Sequence, residues 1–324
     1  MSKRVLVTEP IIPSVIDKLK QHYTVDVGER GTYNEEKPLI EDIGQYEAIL
    51  TMLSNPITSS VIAAGKNLKI IANHAVGFNN IDLEAAKKQG VLVANTPGVL
   101  TESCAEFTIG LMIAVSRRFF DAQTYLLDGK FTDWEPLGFL GKELLDSTLG
   151  IIGMGRIGQA VARRAQALGM KIIYHNRNKV SSDIEKQLQA EYCQTVEDLA
   201  GRANIVTLHC PLTDETHHLI DADILSLMSE DAILLNTARG PVVDEAALAK
   251  ALHQGQLGGA GLDVFENEPK VHPELKSAPH CILTPHIASA SYQTREAIGM
   301  LAANAIIGVL ENKSKSEVPN LIQP

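Results

Sequence analysis

Short, nearly continuous apolar runs alternate with longer stretches of mixed polarity along most of this chain. In the first hundred residues the runs are "RVLVTEP", "YEAILTML", "LKIIANHAV" and "VLVANTP". Runs of this length without a polar face predict strands buried on both sides of a parallel sheet. Between them, "PSVIDKLKQ" and "NIDLEAAKKQG" read as helices, each ending near a Gly or polar cluster. From Thr101 to about Leu127 a long amphipathic run, "TESCAEFTIGLMIAVSRRFFDAQTYLL", leads away from this first unit. A second alternating series starts at "STLGIIGMG" and continues through "KIIYHN", "ANIVTLHC", "AILLNTARG", "GAGLDVF" and "CILTPH". Strands alternating with helices over this length predict an α/β protein with two doubly wound parallel-sheet domains, Rossmann-like or flavodoxin-like. The closing "SYQTREAIGMLAANAIIGVLENK" is helical and too poor in apolar residues to stand alone, so it should pack back on the first unit. The expected division is residues 1–101 with 291–324 as one discontinuous domain and 102–290 as the other.

Composition narrows the class. A length of 324 residues suits about two domains, and 45% hydrophobic with 21% charged residues is ordinary for a globular protein. The formal charge of −10 argues against a nucleic-acid partner, which calls for a basic stripe. Arg117–Arg118 and Arg163–Arg164 read as solvated or locally paired faces. Four cysteines stand without C-x-x-C or metal-like spacing, which points to a reducing compartment with no structural zinc. "MSKRVLVTEP" carries no signal-like apolar region, and no run approaches the roughly 20 apolar residues that cross a bilayer. The expected location is cytoplasmic, with no membrane partner.

Gly153, Gly155 and Gly158 form G-x-G-x-x-G between the apolar "TLGII" and the helical "RIGQAVARRAQALG". In that context the first Gly permits a tight turn, the second a close backbone approach to a pyrophosphate, and the third close helix–strand packing. The residue meeting the adenosine ribose should lie about 20 positions further on. A carboxylate there would favour NAD. This chain offers "HNRNK", with neutral Asn176, then Arg177 and Lys179. Arg can hold a phosphate through paired charged hydrogen bonds, so NADP(H) is favoured. Arg177 as a solvated loop cation, with NAD(H) also used, stays open.

Three later segments carry candidate chemistry. "LLNTARGPVVDE" puts Arg239 at a strand end, "GLDVFENEP" supplies Asp263 and Glu268, and "ILTPHIASAS" places His286 after Pro285. Singly, a His or an Arg has a bland structural reading. In order, at strand ends behind a dinucleotide loop, they form an acid/base constellation. His286 would exchange a proton with a carbonyl or alcohol oxygen, Glu268 would orient it, and Arg239 would grip a carboxylate.

With these motifs the chain resembles the D-isomer-specific 2-hydroxyacid dehydrogenases over nearly its whole length. The most specific segments are "GIIGMGRIG", "LHCPLT", "NTARGPVVDE", "GAGLDVFENEP" and "LTPHIASAS", while "FTDWEP" and "HNRNK" are similar to the glyoxylate/hydroxypyruvate reductase branch. The resemblance implies reduction of small 2-keto acids in a cleft between two domains, with Arg239, Glu268 and His286 in the roles above. It implies substrate contacts from the amides of Val76 and Gly77, from Leu53 and Ser54, and cofactor contacts from Thr101, Arg156, Ile157, Pro211, Thr216 and Thr237. It further implies that Asp263 bonds the nicotinamide carboxamide. A homodimer is implied, with "AEFTIGLMIAVSRRFF" as its face, although by pattern this helix could equally be core. Trp134, the single tryptophan, is either a buried anchor between domains or a lid over the neighbouring subunit's site. No regulatory module is expected after the last helix. The competing activities are an NAD-dependent D-lactate, glycerate or phosphoglycerate dehydrogenase and, in another class, a dinucleotide-sensing binding protein.

Overall fold

The structure, a computed structural model, describes residues 2–322. The chain forms two compact units, one running to Leu100 and resuming at Ala290, the other spanning Thr101–Ser289.

In the first unit, strands β1 (Arg4–Val7), β2 (Thr24–Val27), β3 (Ala48–Thr51), β4 (Ile70–Asn73) and β5 (Leu92–Ala94) form a parallel sheet in the order β2-β1-β3-β4-β5. That is the flavodoxin-like order. β3 and β4 are buried at every position, as their unbroken apolar runs require. β2 was not among the expected strands, because its "TVDV" is half-exposed at a sheet edge and carries no continuous apolar run. Helix Tyr292–Leu310 does return to this unit. Its Ala302, Ala303, Ile306 and Leu310 share a core with Val5, Val7, Leu50 and Ile70. Burying each such Leu or Ile contributes about 1.5–3 kcal/mol.

In the second unit seven strands run parallel: β6 (Thr148–Ile152), β7 (Lys171–His175), β8 (Ala190–Tyr192), β9 (Ile205–Leu208), β10 (Ile233–Asn236), β11 (Gly259–Leu262) and β12 (Cys281–Leu283). Their order is β12-β11-β10-β9-β6-β7-β8, so the winding reverses between β6 and β9. Ligands of such sheets sit beyond the carboxyl ends of the strands at this reversal. β8, three residues at the far edge, also escaped the sequence pattern.

The amphipathic run from Thr101 is two helices, not one. Thr101–Ser116 and Phe119–Leu127 are separated at Arg118, whose φ of 53° no α-helix accommodates. The first helix is core, burying Cys104, Ala105, Thr108, Leu111, Met112 and Val115; the second buries nothing. Trp134 is 75% exposed and is therefore not a buried anchor. Among the described residues no helix is long and apolar enough to cross a membrane, and no cluster of His, Cys, Asp or Glu could hold a metal.

Candidate active site

The glycine loop joins β6 to helix Arg156–Ala167. At Gly153 φ is +102°, and a Cβ there would stand 2.5 Å from the Cys210 nitrogen. At Gly158 a Cβ would collide with the Gly153 oxygen. Both positions exclude side chains, one by conformation and contact, the other by contact alone. A Cβ at Gly155 meets nothing within 4 Å. Open space therefore lies beside the helix start, and Gly155 offers no side-chain cap to the first-turn amides. Unsatisfied N–H groups facing open space suit a pyrophosphate, so these residues fit a dinucleotide.

Beyond β7 the polar residues diverge. The Asn176 side-chain oxygen accepts the Met154 N–H at 2.8 Å, so Asn176 is built into the glycine loop. The Lys179 ammonium stands 4.8 Å from the centre of the Tyr192 ring. Arg177 is exposed, and its positive charge adds to the hydrogen bonds from Thr213 and from Glu215's own backbone that hold the Glu215 carboxyl below the usual range. Of the three residues expected at the ribose, Arg177 is the one without a hydrogen bond or ring contact among the described residues.

The acid/base pair is built on β11 and β12. Asp263, fully buried after β11, accepts the Ile287 N–H (2.8 Å) and the Thr284 hydroxyl (2.7 Å) on one oxygen. Its other oxygen accepts the Ala288 N–H at 2.8 Å, and its carbonyl accepts the His286 N–H at 2.9 Å. The loop carrying His286 is thus tied to β11 at four points, which holds His286 at a φ of 55°. Burial raises the Asp263 pKa, and the Ile287, Thr284 and Ala288 donors offset this in part.

His286 Nδ1 lies 2.9 Å from Glu268 Oε2. Burial pushes the Glu268 carboxyl up, but the His286 hydrogen bond and charge, the Phe265 N–H and Arg239 outweigh it, so the net pKa falls below the usual value. An ionised carboxylate only accepts, so Nδ1 carries the proton and Nε2 is left for chemistry. Arg239 follows β10, its carbonyl held by the Asn236 side chain at 2.9 Å and its guanidinium donating to the Ala238 carbonyl at 2.6 Å. Burial lowers its pKa while Glu268 raises it. The three functional groups therefore converge on one electrostatic neighbourhood.

Residues 109–288 match the sequence pattern described as D-isomer specific 2-hydroxyacid dehydrogenase, NAD binding domain. The chain belongs to that family. A glyoxylate reductase of Thermococcus onnurineus is 43% identical over 95% of this chain and 92% of its own. A Thermus thermophilus crystal structure superposes with a TM-score of 0.92 at 40% identity, covering 99% of this chain and 100% of the other. A Sinorhizobium meliloti NADPH-dependent glyoxylate/hydroxypyruvate reductase, solved with NADP and malonate, gives 0.84 at 32% identity over 100% of both chains. The protein is thus a 2-hydroxyacid dehydrogenase, an oxidoreductase acting on CH–OH groups with a nicotinamide-dinucleotide-binding domain.

Other expected contacts of the dehydrogenase are partly spent within its own units. Thr216 donates to the Pro211 carbonyl at 2.7 Å and closes that loop. The Thr108 hydroxyl gives its proton to the Cys104 carbonyl, so Thr237 donates to Thr108 across their 3.1 Å contact. Thr101 opens its helix, while Arg156 and Ile157 open the helix after the glycine loop. In the first unit, Leu53 is half-buried and Ser54 exposed in the turn after β3, and Val76 and Gly77 are half-buried after β4. Sequence reasoning missed the groups that fasten the "FENEP" turn. Glu266 accepts the Glu245 N–H at 2.8 Å and lies 3.1 Å from His218, and Glu245 accepts the Glu266 N–H at 2.8 Å. Their trace in the sequence is two further carboxylates inside the quoted segments "NTARGPVVDE" and "GAGLDVFENEP", and a His outside them.

Proposed function

We propose that this dehydrogenase reduces small 2-keto acids, glyoxylate and hydroxypyruvate, to D-2-hydroxy acids, favouring NADPH and accepting NADH. The observation that carries the reading is the 2.9 Å His286–Glu268 pair on its anchored loop, and the kinship with glyoxylate reductases supports it. Reduced nicotinamide, when bound, supplies a hydride to the keto carbon. His286 Nε2 gives its proton to the keto oxygen as charge develops there, and Glu268 stabilises the imidazolium that gives it. Arg239 grips the carboxylate and polarises the adjacent carbonyl. In the first unit the amides of Val76 and Gly77 hold the carboxylate, with Leu53 and Ser54 lining the pocket. Gly153, Gly155, Gly158, Arg156 and Ile157 cradle the pyrophosphate. Thr101, Pro211, Thr216, Thr237 and Asp263 complete the cofactor contacts, and Arg177 binds the ribose phosphate. The enzyme works in the cytoplasm as a homodimer. Exposed Phe119, Phe120, Leu126, Leu127, Leu137 and Leu140 supply the apolar area such an interface needs, and Trp134 serves the neighbouring subunit's site.

Arg177 stands exposed without a hydrogen bond among the described residues, which leaves its guanidinium available to a ribose phosphate. Initial rates with glyoxylate and hydroxypyruvate, each with NADPH and NADH, test the reading. The expected result is an NADPH preference that falls roughly tenfold or more in Arg177→Ala, the scale of a lost charged hydrogen bond. Equal or better rates with NADH would remove the phosphate role, and no turnover of either acid would remove the substrate assignment.

A further inference from the structure

The loop after β4 is held from behind by asparagines. The Ala75 carbonyl accepts the Thr96 N–H at 3.0 Å, and the Val76 carbonyl accepts the Asn95 side-chain amide at 2.8 Å. The Gly77 carbonyl accepts the Asn73 side-chain amide at 2.6 Å. In a planar trans peptide the N–H points opposite to the C=O. Two successive carbonyls drawn toward the segment after β5 therefore turn the next two N–H groups, those of Val76 and Gly77, the other way. Neither has an acceptor among the described residues. Successive outward amides of this kind make a concavity suited to an anion.

Asn95 is itself fixed by the C-terminal segment. The Asn320 side chain donates to the Asn95 carbonyl at 2.8 Å, and the Asn95 N–H donates to the Asn320 carbonyl at 3.2 Å. Asn320 is only 6% exposed, and the Ile322 N–H beside it bonds the Val93 carbonyl at 2.8 Å. A chain of hydrogen bonds thus runs from the C-terminal segment through Asn95 to the Val76 peptide.

We propose that Asn95, braced by Asn320, is a positioning residue that presets the Val76–Gly77 amide pair to receive the substrate carboxylate. This rests on the reading that the loop binds that carboxylate. Without the Asn95 donor the Val76–Gly77 peptide loses its own anchor between the still-held Ala75 and Gly77 carbonyls, and the cradle must be ordered again at each binding event. Asn95→Leu removes the donor while keeping the branching of the side chain, and Asn320→Ala removes the side-chain part of the brace while keeping the donor.

The experiment measures KM and kcat for glyoxylate, the inhibition constant of oxalate as a carboxylate probe, the NADPH dissociation constant and the melting temperature. Asn95→Leu is expected to raise KM and the oxalate constant roughly tenfold, the scale of one lost hydrogen bond. NADPH binding should stay as in the parent, and kcat should change far less than KM. Asn320→Ala should shift the same two constants in the same direction by less. Unchanged constants in a folded Asn95→Leu overturn the proposal, as do unchanged constants in Asn320→Ala if Asn95→Leu does not fold. A parent enzyme that binds NADPH but neither binds oxalate nor turns over a 2-keto acid overturns the underlying carboxylate reading instead.

Discussion

His286 occupies a left-handed backbone position, φ 55°, that a bulky side chain rarely takes. What compensates is Asp263, whose two oxygens and carbonyl bind the loop around it. Glu268 then fixes the ring through Nδ1 and, with its pKa depressed, stays anionic at neutral pH. The carboxylate lies 2.9 Å from Nδ1 and leaves Nε2 as the nitrogen that exchanges the proton. Reduction takes a proton from Nε2 and should therefore decline as pH rises. Glu268→Gln removes the charge beside the ring and should depress reduction across the pH range. Its rate at neutral pH should fall about tenfold to hundredfold, the worth of a charge-assisted hydrogen bond. Initial-rate pH profiles of both enzymes check this. The order Arg239, Glu268, His286 was legible because each follows an apolar strand. The anchoring by Asp263 was not, since it depends on which loop lies beside β11, a consequence of strand order. Asn176 was legible as a polar residue at the end of β7 but not as a brace of the glycine loop, because only folding brings Met154 beside it.

At the scale of elements, the three glycines separate structural from binding demands. Gly158 packs against the Gly153 carbonyl, whereas a Cβ at Gly155 enters open space. Gly158→Ala should lower the melting temperature by several degrees, as overpacking of about 1–3 kcal/mol would. Gly155→Ala should leave it nearly unchanged and weaken cofactor binding instead. Calorimetric melting and NADPH titration of the two variants distinguish these outcomes. Strands buried on both faces were readable because they have no polar face. β2 and β8 were not, being short and edge-placed with burial that alternates or is incomplete. The break at Arg118 was hidden because a left-handed arginine leaves no mark on apolar periodicity.

At the scale of the whole molecule, each unit carries its own hydrophobic core. Acid stability should be governed in part by His74, 7% exposed next to the Val76 loop. Burial first, then the charge of Arg295, lower its pKa to about 4. An unfolded His titrates near 6.5, so between about pH 6.5 and 4 the unfolded chain binds a proton that the native chain refuses. This contribution to stability is whole above about 6.5 and is lost as pH falls toward 4, reaching about 3 kcal/mol. His74→Gln should flatten the fall in melting temperature across that window.

Whether His286 is the proton donor for hydride reduction of a 2-keto acid is decided by kcat/KM of His286→Asn for glyoxylate with NADPH. A loss of about 10²–10⁴, with NADPH binding intact, is the predicted result. Activity within a few-fold of the parent would contradict it.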